Sequence, residues 1–212
     1  MNNEKSCPLC EGESTVFYQH KTRLYHQCKT CKGIFVDPSL IPDSIHEKSR
    51  YEEHQNDVND EGYQKFVSPI TNAILNNYSP LDKGLDFGAG TGPVIAKILR
   101  EQDYQIALYD PFFHYFPNLL NQTYDYIACC EVIEHFHFPA KEFDLLKSLL
   151  RKGGTLYCMT DIYDNSIDFH QWYYKNDITH VFIYQKETLE WIKETYGFLK
   201  LTVKDRLVTL IG

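Results

Sequence analysis

Residues 85–92, Leu85-Asp86-Phe87-Gly88-Ala89-Gly90-Thr91-Gly92, constrain the fold more than any other stretch of the chain. They read as a short buried strand that ends in an acid and three alternate glycines. A helix opens near Pro93 and carries Val94, Ile95, Ile98 and Leu99. Glycines at a strand-to-helix turn let the backbone pass close to a ligand, and the first helical turn offers unpaired N–H groups. A dinucleotide site wants G-x-G-x-x-G, with the pyrophosphate on those groups. Here the third glycine comes one position early, and Asp86 beside the loop would repel a pyrophosphate. A ligand bringing an amino group and a sulfonium suits that carboxylate better.

From Ser79 onward, short apolar runs alternate with helices. Strands are expected at 84–87, 105–110, 124–130 and 155–160, with helices running to about Gln102, over 140–150 and over 186–196. Arg151-Lys152-Gly153-Gly154 reads as a turn. Two last strands, 199–203 and 207–211, joined at Lys204-Asp205, form an antiparallel hairpin. The expected fold is α/β, a Rossmann-like and mostly parallel sheet with a C-terminal antiparallel hairpin strand. Tyr63, Val67, Ile70, Ile74 and Tyr78 recur at helical spacing before it, with Pro69 a kink. Residues 41–62 are polar and poorly periodic, and the acidic run from Glu47 to Glu61 reads as a solvated face.

Near the start stand Cys7-Pro8-Leu9-Cys10 and Cys28-Lys29-Thr30-Cys31, two C-x2-C knuckles seventeen residues apart. Each knuckle can present two thiolates to one tetrahedral ion, and the interval fits a β-hairpin over 16–18 and 24–27. Cys7, Cys10, Cys28 and Cys31 are therefore the expected ligands of a structural zinc, in a small four-cysteine ribbon. Four ligands leave no open position, so the site is not catalytic. Cys129, Cys130 and Cys158 read as core. The organisation expected is a zinc ribbon over 1–40, a linker and bridging helix over 41–80, and the α/β domain over 81–212.

The glycine loop resembles motif I of the class I S-adenosylmethionine (SAM) methyltransferases, and further motifs follow in that family's order. Asp110 closes the second strand, where the resemblance implies an acid that holds the ribose hydroxyls of SAM. Tyr124-Asp125-Tyr126-Ile127 leading to Glu131-Val132-Ile133-Glu134-His135 is similar to the family's fourth strand and the loop after it. Leu149-Leu150-Arg151-Lys152-Gly153-Gly154 resembles its turn before strand five. The cofactor-binding residues implied are Asp86, Gly88, Gly90, Gly92, Asp110 and Glu131. Only about a dozen residues separate Asp110 from strand four, where the family usually fits a helix and strand three. Phe112 and Phe113 in that short segment either stack on adenine or cap the sheet edge. Tyr51 or Tyr63 is placed to close over the methionine end of SAM.

Glu131, Glu134 and His135 stand at i, i+3 and i+4, past the carboxyl end of a parallel strand, where ligands bind in open α/β sheets. The pattern resembles that of ubiquinone-type O-methyltransferases and of small-RNA 3′-terminal 2′-O-methyltransferases. In the latter the two Glu, the His and a later His hold a divalent ion. His180 in Asp177-Ile178-Thr179-His180 is the candidate later histidine. Glu131, Glu134, His135 and His180 thus either hold Mg²⁺ or Mn²⁺ or form a metal-free hydrogen-bonding network. Under both readings His135 and His180 are the catalytic candidates, because imidazole titrates near neutral pH. His20, His26, His46, His54, His114, His137 and His170 read as ordinary surface or core residues. Tyr163, Trp172, Tyr173, Tyr174 and Tyr184 form either an aromatic pocket wall or plain core.

A formal net charge of −8 counts against duplex nucleic acid, which needs clustered Lys and Arg. No apolar run follows Met1, and none reaches the ~18 residues of a membrane span. The expected location is cytoplasmic, with cysteines reduced. The resemblance implies methyl transfer from SAM to a small-molecule acceptor, with oxygen the first choice of acceptor atom. The alternatives are an RNA methyltransferase whose ribbon grips RNA, and a non-catalytic SAM-binding or protein-docking adaptor.

Overall fold

A computed structural model describes residues 5–20, 22–53 and 56–212. His54 lies outside the described residues. Two sheets organise the chain. The larger has six strands: β4 (Lys83–Phe87), β5 (Gln105–Tyr109), β6 (Tyr124–Cys130), β7 (Leu150–Met159), β9 (Lys200–Lys204) and β10 (Leu207–Ile211). Their order is β5-β4-β6-β7-β10-β9. β4 pairs in parallel with β5 and β6, and β6 with β7, whereas β10 runs antiparallel to both β7 and β9. This is the expected mostly parallel sheet with a reversed hairpin at one edge. β5 is the opposite edge. The short interval after Asp110 holds a tight turn, closed by Asp110–His114 pairing, and a single 3-10 turn at Pro117–Asn121.

Alternation along the parallel strands builds two cores. Leu85, Ile127, Cys129, Leu156 and Cys158 face α4 (Pro139–Ser148) and α5 (Lys186–Thr195), which contribute Phe143, Leu146, Leu189 and Ile192. Tyr126, Ala128, Tyr157 and Met159 face α2 (Glu61–Asn77) and α3 (Val94–Arg100). α2 runs through Pro69, is capped by Asp60, and buries Val67, Ile70 and Ile74. Cys129 and Cys158 are core, as expected, and Cys130 is partly exposed.

Four local expectations change. Arg151 to Gly154 do not form a free turn. β7 starts at Leu150, and its pairing with β6 shifts register between Tyr124 and Tyr126, with Gly153 at φ 79° absorbing the irregularity. The last hairpin turns at Asp205-Arg206, one residue later than expected, with Lys204 paired to Leu207. The polar segment after residue 41 contains a helix, α1 (Ser44–Glu53). It is fixed by tertiary contacts, since its sequence has no apolar face to report it. Glu47 is not on a solvated face; it is buried and accepts from His137 Nε2 at 2.8 Å.

The smaller sheet has the order β1-β2-β3-β8. The strands β1 (Ser14–His20), β2 (Arg23–Cys28) and β3 (Ile34–Val36) come from the N-terminal segment. β8 (Phe182–Ile183) lies far along the chain and pairs with β3. Tyr25, Ile34, Val36, Tyr163, Phe169, Val181 and Ile183 form one buried cluster across that junction.

Candidate functional site

The loop after β4 is shaped by close approach. Gly88 has φ 78°, and a Cβ there would run into the Val132 side chain. At Gly92 a Cβ would run into the Asn56 carbonyl oxygen. At Gly90, φ 60°, a Cβ would meet nothing within 4 Å, so the crest of the loop faces open space. The loop is tied to the end of β5: the Gly88 and Ala89 N–H groups donate to the Tyr109 carbonyl at 2.8 and 3.2 Å. Asp110 completes the tie. Its Oδ2 accepts from the Gly90 N–H at 3.0 Å, and its Oδ1 accepts from the Phe112 and Phe113 N–H groups at 2.8 and 3.0 Å. Asp86 is buried beneath α3, where its carboxyl accepts the Ala96 N–H, and burial pushes it up to about 7.

A second group gathers past the end of β6, in a 3-10 turn at Ile133–His135. Ligand atoms of Glu134, His135 and His180 all lie within 4.8 Å of one another. The two imidazoles meet edge to face, with centroids 4.9 Å apart. Each is oriented through Nδ1. That of His180 donates to the Tyr174 carbonyl at 2.7 Å, and that of His135 to the Thr179 carbonyl at 2.9 Å. A carbonyl can only accept, so Nδ1 carries the hydrogen and the neutral ring has its lone pair at Nε2. Burial pushes His180 below its ordinary value, which keeps it neutral near pH 7.

Glu134 is fully buried. Its oxygens face the Tyr174 hydroxyl at 2.5 Å and the Thr160 hydroxyl at 3.0 Å, and those hydroxyls are 2.8 Å from each other. Burial is the larger effect on this carboxyl and pushes it above its ordinary value, while both hydroxyls donate to Glu134 and draw it down.

Glu131 is drawn away from the other three residues. Its Oε2 pairs with Arg206 at 2.6 Å, and its backbone is left-handed at φ 51°. Burial and then the neighbouring Glu134 push Glu131 up to about 8, against the pull of Arg206. The described residues thus bring together Glu134, His135 and His180 and leave Glu131 outside a shared four-ligand set. Arg206 also pairs with Asp161 at 3.0 Å. Sequence reasoning missed Arg206, Asp161 and Thr160. Arg206 sits at a hairpin tip and Thr160 just past a strand, and neither position carries a pattern.

Tyr51 links the two groups. Its ring lies 5.8 Å from Phe112 and 5.3 Å from His135, centroid to centroid. Of the aromatic residues expected around the loop after strand five, Tyr163, Trp172 and Tyr184 pack into core. Tyr174 bonds Glu134, and the exposed Tyr173 donates to Asp161 at 2.6 Å. His26 is an ordinary residue of the core kind, fully buried with Nε2 2.9 Å from Asp37.

The four paired cysteines converge. Sγ atoms of Cys7 and Cys31 are 3.6 Å apart and those of Cys10 and Cys28 3.3 Å, and all four lie within 4.8 Å of one another. Tetrahedral zinc with Zn–S bonds of ~2.3 Å sets sulfurs ~3.8 Å apart, so the donors fit. Without a cation the thiols divide unevenly. A hydrogen bond with Cys31 draws Cys7 down to about 6, while the same contact pushes Cys31 up and burial pushes Cys10 up to about 11.

Residues 60–203 match the sequence family described as a methyltransferase domain. No curated protein matches the chain in sequence. Among solved structures, an O-methyltransferase family protein from Burkholderia thailandensis superimposes with a TM-score of 0.57 at 12% identity, over 82% of this chain and 64% of that one. The 1,6-didemethyltoxoflavin-N1-methyltransferase of the same species gives 0.54 at 15%, over 92% and 98%. Human N-acetylserotonin methyltransferase, solved in complex with SAM, gives 0.52 at 11%, over 70% and 53%. The chain spans less than two thirds of the length of the first three structures it resembles. Among the described residues, no helix is long and apolar enough to cross a membrane.

Proposed function

Because the chain belongs to the methyltransferase-domain family, we propose that it transfers the methyl group of SAM to an oxygen of a small-molecule acceptor, with His135 and His180 handling the acceptor's proton. The observation that carries this reading is the Tyr51 bridge. One aromatic ring separates the Phe112 side of the glycine loop from two imidazoles whose Nδ1 atoms face carbonyls. SAM supplies a methyl group already activated on a sulfonium. The chain's share is position and a proton acceptor. The Gly88–Gly92 cradle, the open crest at Gly90 and the Asp110 clasp support cofactor binding there. An acceptor hydroxyl forms the new C–O bond with its own electron pair. Its proton passes to an imidazole Nε2, and the C–S electron pair stays on sulfur in S-adenosylhomocysteine. The four cysteines are proposed to hold one structural zinc.

A second reading puts Mn²⁺ or Mg²⁺ on Glu134, His135 and His180. It is favoured by the convergence of their ligand atoms and by the Nδ1–H···O=C bonds, the usual support of metal-bound histidine. Two imidazoles and one carboxylate suit Mn²⁺ better than Mg²⁺. The RNA alternative gains nothing from the ribbon, whose Arg23 is bound to carbonyls of the same chain.

The test is release of S-adenosylhomocysteine from SAM across a panel of phenols, catechols, hydroxy acids and amines. Turnover with hydroxylated acceptors that falls at least ~10²-fold in His180→Ala supports the proposal. Turnover only with amines would overturn the choice of oxygen. Loss of turnover in metal-depleted protein, with cysteine-bound zinc intact by elemental analysis, and its return with Mn²⁺ would favour the second reading.

A further inference from the structure

The N-terminal ribbon reaches the imidazole pair through two side chains. Arg23 Nη1 donates to the Ile178 carbonyl at 3.0 Å, and Nη2 donates to the His180 carbonyl at 3.2 Å and the Asp177 carbonyl at 3.4 Å. The Tyr25 hydroxyl accepts from Arg23 Nε at 3.2 Å and donates to the Lys175 carbonyl at 2.9 Å. Ile178, His180 and Lys175 are chain neighbours of the two carbonyls that orient the imidazoles, and Asp177 lies between them. Lys175 follows Tyr174, whose carbonyl holds His180. Ile178 and His180 flank Thr179, whose carbonyl holds His135.

We infer that Arg23 and Tyr25 are positioning residues for the transferase site, and that the ribbon sets the tautomer of both His135 and His180 by fixing the loop that carries their carbonyl partners. The inference rests on the reading of these histidines as the acceptor-side residues. Two further bonds join the N-terminal segment to the chain just after that loop: the Val36 N–H donates to the Val181 carbonyl at 2.9 Å, and in the opposite sense the Gln185 side chain donates to the Lys32 carbonyl at 2.5 Å. A guanidinium is suited to the task because its planar fork holds several carbonyls at once and cannot lose its charge. Free neutral imidazole favours hydrogen on Nε2. Holding it on Nδ1 in two adjacent rings therefore needs acceptors that stay in place, and a free loop would not provide them.

The full-length chain tests this by ¹⁵N imidazole spectra at pH 8, read with calorimetric SAM affinity and a thermal melt. His137, which bonds Glu47 outside the loop, is the internal reference. In the parent protein both His135 and His180 should show the Nδ1–H form with a preference of about tenfold, the scale of one hydrogen bond. In Arg23→Gln that preference should collapse toward the Nε2–H form, with His137 unchanged and SAM affinity within about twofold. Tyr25→Phe, which deletes one hydroxyl, should weaken His180 more than His135 and serves if Arg23→Gln does not fold. Unchanged tautomers in a folded Arg23→Gln or Tyr25→Phe protein would overturn the inference and leave the acid–base reading standing. Undiminished turnover in both His135→Ala and His180→Ala would overturn that reading, whatever the Arg23 spectra show.

Discussion

Asp110 braces the glycine loop with one carboxylate and is proposed to hold the cofactor with the same group. Its place at the end of a strand was legible, and the family resemblance proposes it as the ribose-binding acid. Its bonds to Gly90, Phe112 and Phe113 were not legible, because they depend on how the chain turns after it. Asp110→Ala should weaken SAM by ~1.5–3 kcal/mol, the range for hydrogen bonds to a charged group, and should also loosen the loop. Calorimetry with intact binding would remove Asp110 from the cofactor site. Asp86 behaves differently. A buried carboxyl pushed up to about 7 favours its protonated form in the folded chain. Its contribution to stability is complete below the unfolded value near 4 and is lost as pH rises through about 7. Asp86→Asn keeps an acceptor for the Ala96 N–H and carries no charge. Without cofactor, the variant should gain melting temperature over the parent at pH 8, and the gain should shrink toward pH 4. Each ~1 kcal/mol corresponds to about 2–4 °C in a chain of this size. A gain independent of pH would contradict the burial argument.

Periodicity is what makes an element legible. α2, α4, α5 and the parallel strands declared themselves because each buries a face against the large sheet. α1 did not, because side-chain bonds to other elements hold it: Arg50 to Asp177, Glu47 to His137 and the Tyr51 ring on His135. β3 and β8, of three and two residues, are too short for a pattern and exist through each other. The site divides the same way. The glycine loop, the cysteine knuckles and the Glu-x-x-Glu-His run are local and could be read. The diversion of Glu131 to Arg206 joins residues 75 apart and could not. α1 gives the element-scale prediction. Arg50 donates from both Nε and Nη2 to one oxygen of Asp177, at 3.3 and 3.0 Å, from a partly exposed position. Arg50→Ala should cost ~1 kcal/mol or less overall. Amide exchange should speed up over Ser44–Glu53 while α2 and the large sheet keep their protection. Unchanged exchange in α1 would mean that Tyr51 and Glu47 suffice to hold it.

At the scale of the whole molecule, the N-terminal four-cysteine segment, proposed as a ribbon, is built into the methyltransferase fold. β8 completes the ribbon's sheet, and Phe35 of the ribbon stacks on Phe182 at 6.4 Å. Cys7, Cys28 and Cys31 belong to the same buried cluster as Phe143, Leu189 and Leu210. A separate module would melt on its own when its metal is removed, leaving the SAM domain intact. A shared core couples the two, because any state that opens the ribbon uncovers Phe182, Tyr184 and Ile183, which are fully buried. Structural zinc contributes folding energy directly, and here that energy should reach the whole chain. Purified protein should contain one zinc. Cys28→Ser should lose it and lower a single melting transition, with ribbon and sheet probes falling together. Two separate transitions, the upper one at the parent temperature, would show that the sheet junction carries no coupling. Protein prepared without chelator that contains no metal would remove zinc from the account and leave the apolar junction alone to hold the ribbon.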